Sequence, residues 1–113
     1  MLTSPGHPNS YPNNLDTTDI ITVNQGRVIS IEFTAFNVEE KDATHCYDHV
    51  RIMDGDGTQL MFWCGTEVPG IFTSNTNTVR ITFHTDGSNT RSGWRLRWTA
   101  DTPGLVSLFF WIC

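Results

Sequence analysis

Apolar and polar residues alternate with a period of two along several short stretches of this chain, and nowhere with the 3.6-residue period of a helix. The clearest stretch is RVISIEFTAF from Arg27, which sets Val28, Ser30, Glu32 and Thr34 on one face and Ile29, Ile31, Phe33 and Ala35 on the other. The second set is predicted to face the core. Phe36 and Val38 continue the apolar signal after a slip of one residue, which predicts a bend or bulge there. Thr78 to His84 alternates in the same way, with Val79, Ile81 and Phe83 opposite Arg80 and Thr82. Trp94, Leu96 and Trp98 alternate with Arg95, Arg97 and Thr99 as far as Ala100. Ile20, Thr22 and Val23 predict a shorter strand ended by Asn24, Gln25 and Gly26.

Between these runs lies EEKDATHCYDHVRIMDGDGTQLMFWC, Glu39 to Cys64, around which the rest is organised. Val50 and Ile52 keep the period of two, DGDG at 54–57 turns the chain, and Leu60, Phe62 and Trp63 return it. The other segments read as connections. SPGHPNSYPNN at 4–14 holds three prolines and is predicted extended. GTEVPGIFTSNTN at 65–77 is a loop whose Ile71 and Phe72 tuck onto the core, and TDGSNTRSG at 85–93 is a loop by composition. About six short strands without a helix predict an all-β, antiparallel β-sandwich, with function sought in the loops at its two ends. The domain signal covers 1–100. Asp101 to Gly104 form a break, and LVSLFFWIC within 101–113 is either one more strand or a poorly ordered end, which the sequence leaves open.

Composition narrows the function. The chain has 113 residues, one domain's worth, with 12 acidic against 7 basic residues and a formal charge of -5. A nucleic-acid binder would show a basic face, so that class is set aside. No apolar run is long enough to span a bilayer, and no secretory leader precedes the turn-rich start, although a mature domain cut from a larger precursor would look the same. Of three cysteines, Cys46 and Cys64 stand where a cross-link would hold the outer ends of the central hairpin, at a spacing wrong for a CxxC site. Such a bridge stabilises by about 3 kcal/mol and favours an oxidising, extracellular setting. Cys113 is left as a free thiol, an interchain partner or part of a tail.

The ordered set SPGHPNSYPNN, RVISIEFTAF, Glu39, CYD at 46–48, DG at 54–55, CG at 64–65, TDGSN and SGW resembles a CUB domain over residues 2–100. The resemblance implies a jelly-roll β-sandwich that is extracellular, non-catalytic and engaged in protein binding, either alone or within a larger extracellular protease. It also implies a disulfide between Cys46 and Cys64. The family's other bridge would need a cysteine before residue 1 and one at Thr17. Its absence matches some calcium-binding members, and implies that packing alone pins the amino-terminal segment. The aromatic that the family places two residues further on is Asp19 here. Cys46 directly precedes Tyr47, where the family has one residue between, which implies a register change in the preceding loop.

The residues themselves support hard-cation chemistry. Calcium takes six to eight oxygens in flexible geometry, and a carboxylate from Glu39 or Glu40, Asp48 and Asp86 would repel one another at one end of a sandwich unless a cation sat among them. By resemblance the calcium ligands are Glu39, Asp48, Asp86, the Ser88 carbonyl and the Asn89 side chain, with Glu40 in reserve and the Tyr11 hydroxyl steadying the carboxylates. In the family the ordered acidic oxygens then receive a lysine or arginine of an extracellular protein partner. A metal-independent module that binds protein or carbohydrate is the competing reading.

Each of these signals also has a plainer explanation. Asp86 also suits an ordinary turn, and Asp48, Glu39 and Glu40 a solvated rim. DGDG lacks the Glu at position twelve and the flanking helices of an EF-hand. His45, His49 and His84 flank the region, but His45 and His49 lie four apart on a loop and a strand, which removes the shared face that zinc would use. Ser88 and Ser92 have no nucleophile-elbow context, and Trp63, Trp94 and Trp98 are assigned to the core.

Overall fold

A computed structural model of the protein describes residues 1–103. The chain forms eight strands: β1 (Leu2–Thr3), β2 (Asp16–Thr22), β3 (Val28–Asn37), β4 (His49–Asp54), β5 (Gln59–Trp63), β6 (Ile71–Thr73), β7 (Thr78–His84) and β8 (Gly93–Asp101). They make two four-stranded antiparallel sheets, in the orders β1-β8-β3-β6 and β2-β7-β4-β5, with no helix among the described residues. This is the all-β sandwich that the alternation predicts. The proposed tail beyond Pro103, with Cys113, lies outside the described residues.

The core sits between the sheets. Ile29, Ile31, Phe33, Phe36, Trp94 and Leu96 from one sheet meet Ile21, Val50, Ile52, Met61, Val79, Ile81 and Phe83 from the other. Each fully buried aliphatic or Phe side chain of this kind contributes about 1.5–3 kcal/mol. Trp94 bridges the layers, with its ring edge-on to Phe83 at 5.9 Å and to Phe33 at 6.2 Å. It is a core residue, as expected, whereas Trp63 and Trp98 are only partly buried against the core.

Three local readings need correction. The register of β3 against β8 shifts between Phe33 and Ala35, so Thr34 is left over and Phe36 takes the interior in place of Ala35. The bulge was expected, and its position reverses the face assigned to Ala35. Strand β2 begins at Asp16 and pairs along its whole length with β7. Its buried side chain is Ile21, while Ile20 is 64% exposed. Backbone pairing defines this polar edge strand, and the apolar pattern shows only its end. Ile71 and Phe72 belong to a short strand on β3, with Phe72 against the core and Ile71 facing solvent.

The amino-terminal segment is held by hydrogen bonds as well as packing. The Ser4 amide donates to Trp94 O at 2.9 Å, and the Trp94 amide donates to Ser4 Oγ at 3.0 Å. The Tyr11 amide donates to Arg91 O, and the Asn14 amide to Asp86 O. Thr85 is buried and closes the seam: its amide donates to Leu15 O, while its hydroxyl accepts from the Leu15 amide and donates to Pro12 O. The expectation that packing alone pins this segment is therefore too weak. Gly93 permits the crossing, because a Cβ there would run into the Ser4 side chain and its φ of 89° disfavours any other residue.

At the opposite end DGDG is a hairpin turn, with the Asp54 amide donating to Thr58 O and the Gly57 amide to Asp54 O. Gly55 is required there, since a Cβ would lie 2.5 Å from Thr78 Cγ2 and 2.6 Å from Thr76 Oγ1. The Asp54 carboxylate is buried and accepts from the Asn75 amide at 2.5 Å and the Thr76 hydroxyl at 2.6 Å. It fixes a loop and has no EF-hand role.

Candidate metal centre

Strand β4 emerges at the other end of the sandwich directly after Asp48, which is fully buried. The loop after β3 brings Glu39 beside it, and the loop after β7 brings Asp86. One carboxylate oxygen from each of the three lies within 4.8 Å of the others. The donors around them are uneven. Asp48 accepts from the Tyr11 hydroxyl at 2.6 Å and from the Asp86 amide at 2.8 Å. The same Tyr11 oxygen accepts from the Glu39 amide at 3.1 Å, so one hydroxyl joins two of the three acidic residues. Glu39 is 8% exposed, and its Oε1 has no hydrogen-bond partner. An unpartnered buried carboxylate oxygen among like charges is costly.

The charge balance follows from this geometry. Burial, the largest influence, raises the carboxyls of Glu39 and Asp48 above the usual range. Asn89 partly offsets the rise at Glu39, while the Asp48 and Asp86 charges add to it and Arg91 reduces it. Hydrogen bonds from Tyr11 and Asp86 offset the rise at Asp48. Burial followed by the bond to Asp48 pushes the Tyr11 hydroxyl far up, so it stays protonated and donates.

The Ser88 amide donates to Asp86 Oδ1 at 3.2 Å, which shapes the DGSN turn. Asn89 holds a left-handed φ of 63° in that turn, and its side chain favours the charged form of Glu39. Glu40 is exposed and accepts from Thr66 Oγ1 at 3.5 Å, lining a separate cleft of about 720 Å³ beside Trp63 and the disulfide. The structure thus brings together Glu39, Asp48, Asp86 and Tyr11, and turns Glu40 away. Cys46 and Cys64 are bridged, with Cα atoms 5.9 Å apart.

Asp42 is a residue that sequence reasoning passed over. It accepts from the Tyr47 hydroxyl at 2.6 Å and from the amides of Thr44 and His45 at 2.8 Å, and so closes the loop leading into the site. Those bonds, Tyr47 first, hold its carboxyl well below the usual range. An Asp two residues before a Thr is the available signal for such a turn.

A sandwich with this strand order, one bridge across the central hairpin and an acidic rim at the head of β4 defines a class of extracellular β-module. The chain belongs to the CUB domain family, whose model matches residues 1–98. It is 36% identical over 107 residues to cubilin of Canis lupus familiaris, covering 91% of this chain and 3% of cubilin. It is 33% identical over 101 residues to mannan-binding lectin serine protease 1 of Mus musculus, covering 88% of this chain and 14% of that protein. Among solved structures it is similar to the MASP-1 CUB2 domain bound to Ca2+, with a TM-score of 0.77 and 29% identity over 88% of this chain and 89% of that one. The chain therefore spans a small part of these curated relatives. The domain type is extracellular and non-catalytic, and no helix among the described residues is long and apolar enough to cross a membrane.

Proposed function

We propose that this CUB unit, residues 1–100, is a calcium-dependent protein-interaction module. Glu39, Asp48 and Asp86 carboxylates, the Ser88 carbonyl and the Asn89 side chain would hold the ion, with Tyr11 orienting Asp48 from behind. The observation that carries this reading is the convergence of three carboxylates around a buried Glu39 oxygen without a partner. A hard divalent cation answers that deficit with the oxygen ligands it prefers. The solved Ca2+-bound CUB domain supports the choice of metal.

Bound calcium supplies positive charge that orders the two acidic loops. Carboxylate oxygens left facing solvent then form charge-assisted bonds to a lysine or arginine of an extracellular partner, with little ordering cost remaining. Calcium titration by calorimetry on oxidised protein tests the reading, alongside Asp86→Ala. Saturable one-site binding that the variant loses is the expected result. Absence of heat at millimolar calcium would overturn it and direct attention to a metal-independent face.

A further inference from the structure

The geometry points to a second, separate metal site on the outer face of the β2-β7-β4-β5 sheet: a cross-strand pair of His49 and His84, backed by Asp16, that takes a borderline transition-metal ion of the Zn2+ class. The spacing of His45 and His49 gave no shared face, and in the structure His45 stacks on Tyr47 instead. Strand pairing does what spacing did not. His49 on β4 lies directly opposite His84 on β7, and His84 lies directly opposite Asp16 on β2. Three residues from three strands thus form one row across the sheet.

The imidazoles are presented for ligation. Their rings stack at 5.2 Å between centroids with a 29° tilt. His84 Nδ1 is 2.7 Å from Asp16 Oδ1, and His49 Nδ1 is 3.4 Å from the Cys46 carbonyl. A carboxylate and a carbonyl only accept, so in each neutral ring the proton sits on Nδ1 and the lone pair on Nε2. Neither Nε2 has a hydrogen-bond partner among the described residues. An oxygen acceptor behind one ring nitrogen with the other left open is how proteins orient metal-binding histidines. Phe62 packs against His49 at 4.6 Å, and the His84 side chain is 44% exposed, so both rings are reachable from solvent on this face. Zinc–nitrogen bonds are about 2.0–2.1 Å, so binding requires the two rings to leave their stacked arrangement and turn both Nε2 atoms toward one point. Water or a partner side chain fills the remaining positions, as in open zinc sites.

The test is a Zn2+ titration of untagged protein in saturating Ca2+, which occupies the acidic end, read by calorimetry and by imidazole nitrogen NMR. One-site binding is expected, with the Nε2 resonances of His49 and His84 shifting while those of His7 and His45 stay. His84→Ala should abolish saturable binding, and Asp16→Asn should weaken it roughly tenfold. No saturable heat, equal shifts at all four histidines, or a His84→Ala titration like that of the natural protein would overturn the site. Should His84→Ala fail to fold, the NMR shifts of the natural protein decide alone.

Discussion

A buried aspartate stands at each end of strand β4, Asp48 just before it and Asp54 as its last residue, and the two are treated oppositely. Asp54 is 4% exposed and is met by an amide and a hydroxyl from the 74–76 loop, and it belongs to no cluster of three potential ligands among the described residues. Asp48 is also buried and also has two donors, yet it shares its space with Glu39 and Asp86. Burial of a carboxylate is therefore not what distinguishes a binding end from a structural one. The distinguishing feature is a surplus of acceptor oxygens over donors, which Asp54 lacks and the Glu39–Asp48–Asp86 cluster has.

The contrast can be broken most strongly at Asp54. Asp54→Ala should lose about 3 kcal/mol in urea unfolding, because two charge-assisted bonds go and buried donors are left behind. The loss should be the same with and without calcium. Adding calcium to the natural protein at a hundredfold excess over Kd should stabilise it by about 2.7 kcal/mol, and in Asp86→Ala the gain should vanish. A gain that persists in the variant would separate calcium from this cluster.

A smaller effect sharpens the comparison by its sign. Asp48→Asn keeps side-chain shape and removes one of three like charges, so metal-free protein should become more stable by about 1 kcal/mol. The same change should abolish the calcium response. Asp54→Asn should stabilise under neither condition.

The smallest effect is in pH. Because burial raises the Asp48 carboxyl in the folded state, the folded protein holds that proton more tightly than the unfolded chain. The stability this gives is present below the ordinary aspartate value of about 4 and is lost as pH rises through the raised one. The metal-free advantage of Asp48→Asn should therefore be full above that window and shrink as pH falls through it, followed by thermal unfolding of both proteins. His49, whose pKa burial lowers, contributes in the other direction, and because the Asp48 charge partly offsets that lowering its contribution changes in Asp48→Asn as well.

How much of this was legible beforehand depends on whether a feature follows from alternation or from pairing. The inward faces of β3 and β7 could be read residue by residue, because Ile29, Ile31, Phe33, Val79, Ile81 and Phe83 must leave water. The length of β2 could not, because Asp16 to Asp19 enter the sheet through backbone bonds that leave no apolar trace. Ala35 was assigned the wrong face because a bulge changes parity wherever it falls, and the run shows only that one exists. At the site, residue types and loop order led to Glu39, Asp48 and Asp86, and counting alone left Glu40 open. The direction of each side chain depends on Val38 pairing with Gly65, which sets Glu40 toward Thr66 and Glu39 inward. His49 facing His84 is wholly a matter of strand partnership.

Gly93 carries a consequence for reading sequence variants of this chain. It touches none of the proposed ligands, yet it lets Ser4 cross β8 and so delivers Tyr11, whose ring passes 3.4 Å from where a Cβ would stand, to Asp48. A substitution there lifts the strap that carries the tyrosine, and its symptom would be a protein that still folds in outline but loses the calcium response proposed above. Scored by distance from the binding end, such a lesion would be filed as harmless. Scored by the path of the chain, it belongs with mutations of the site itself.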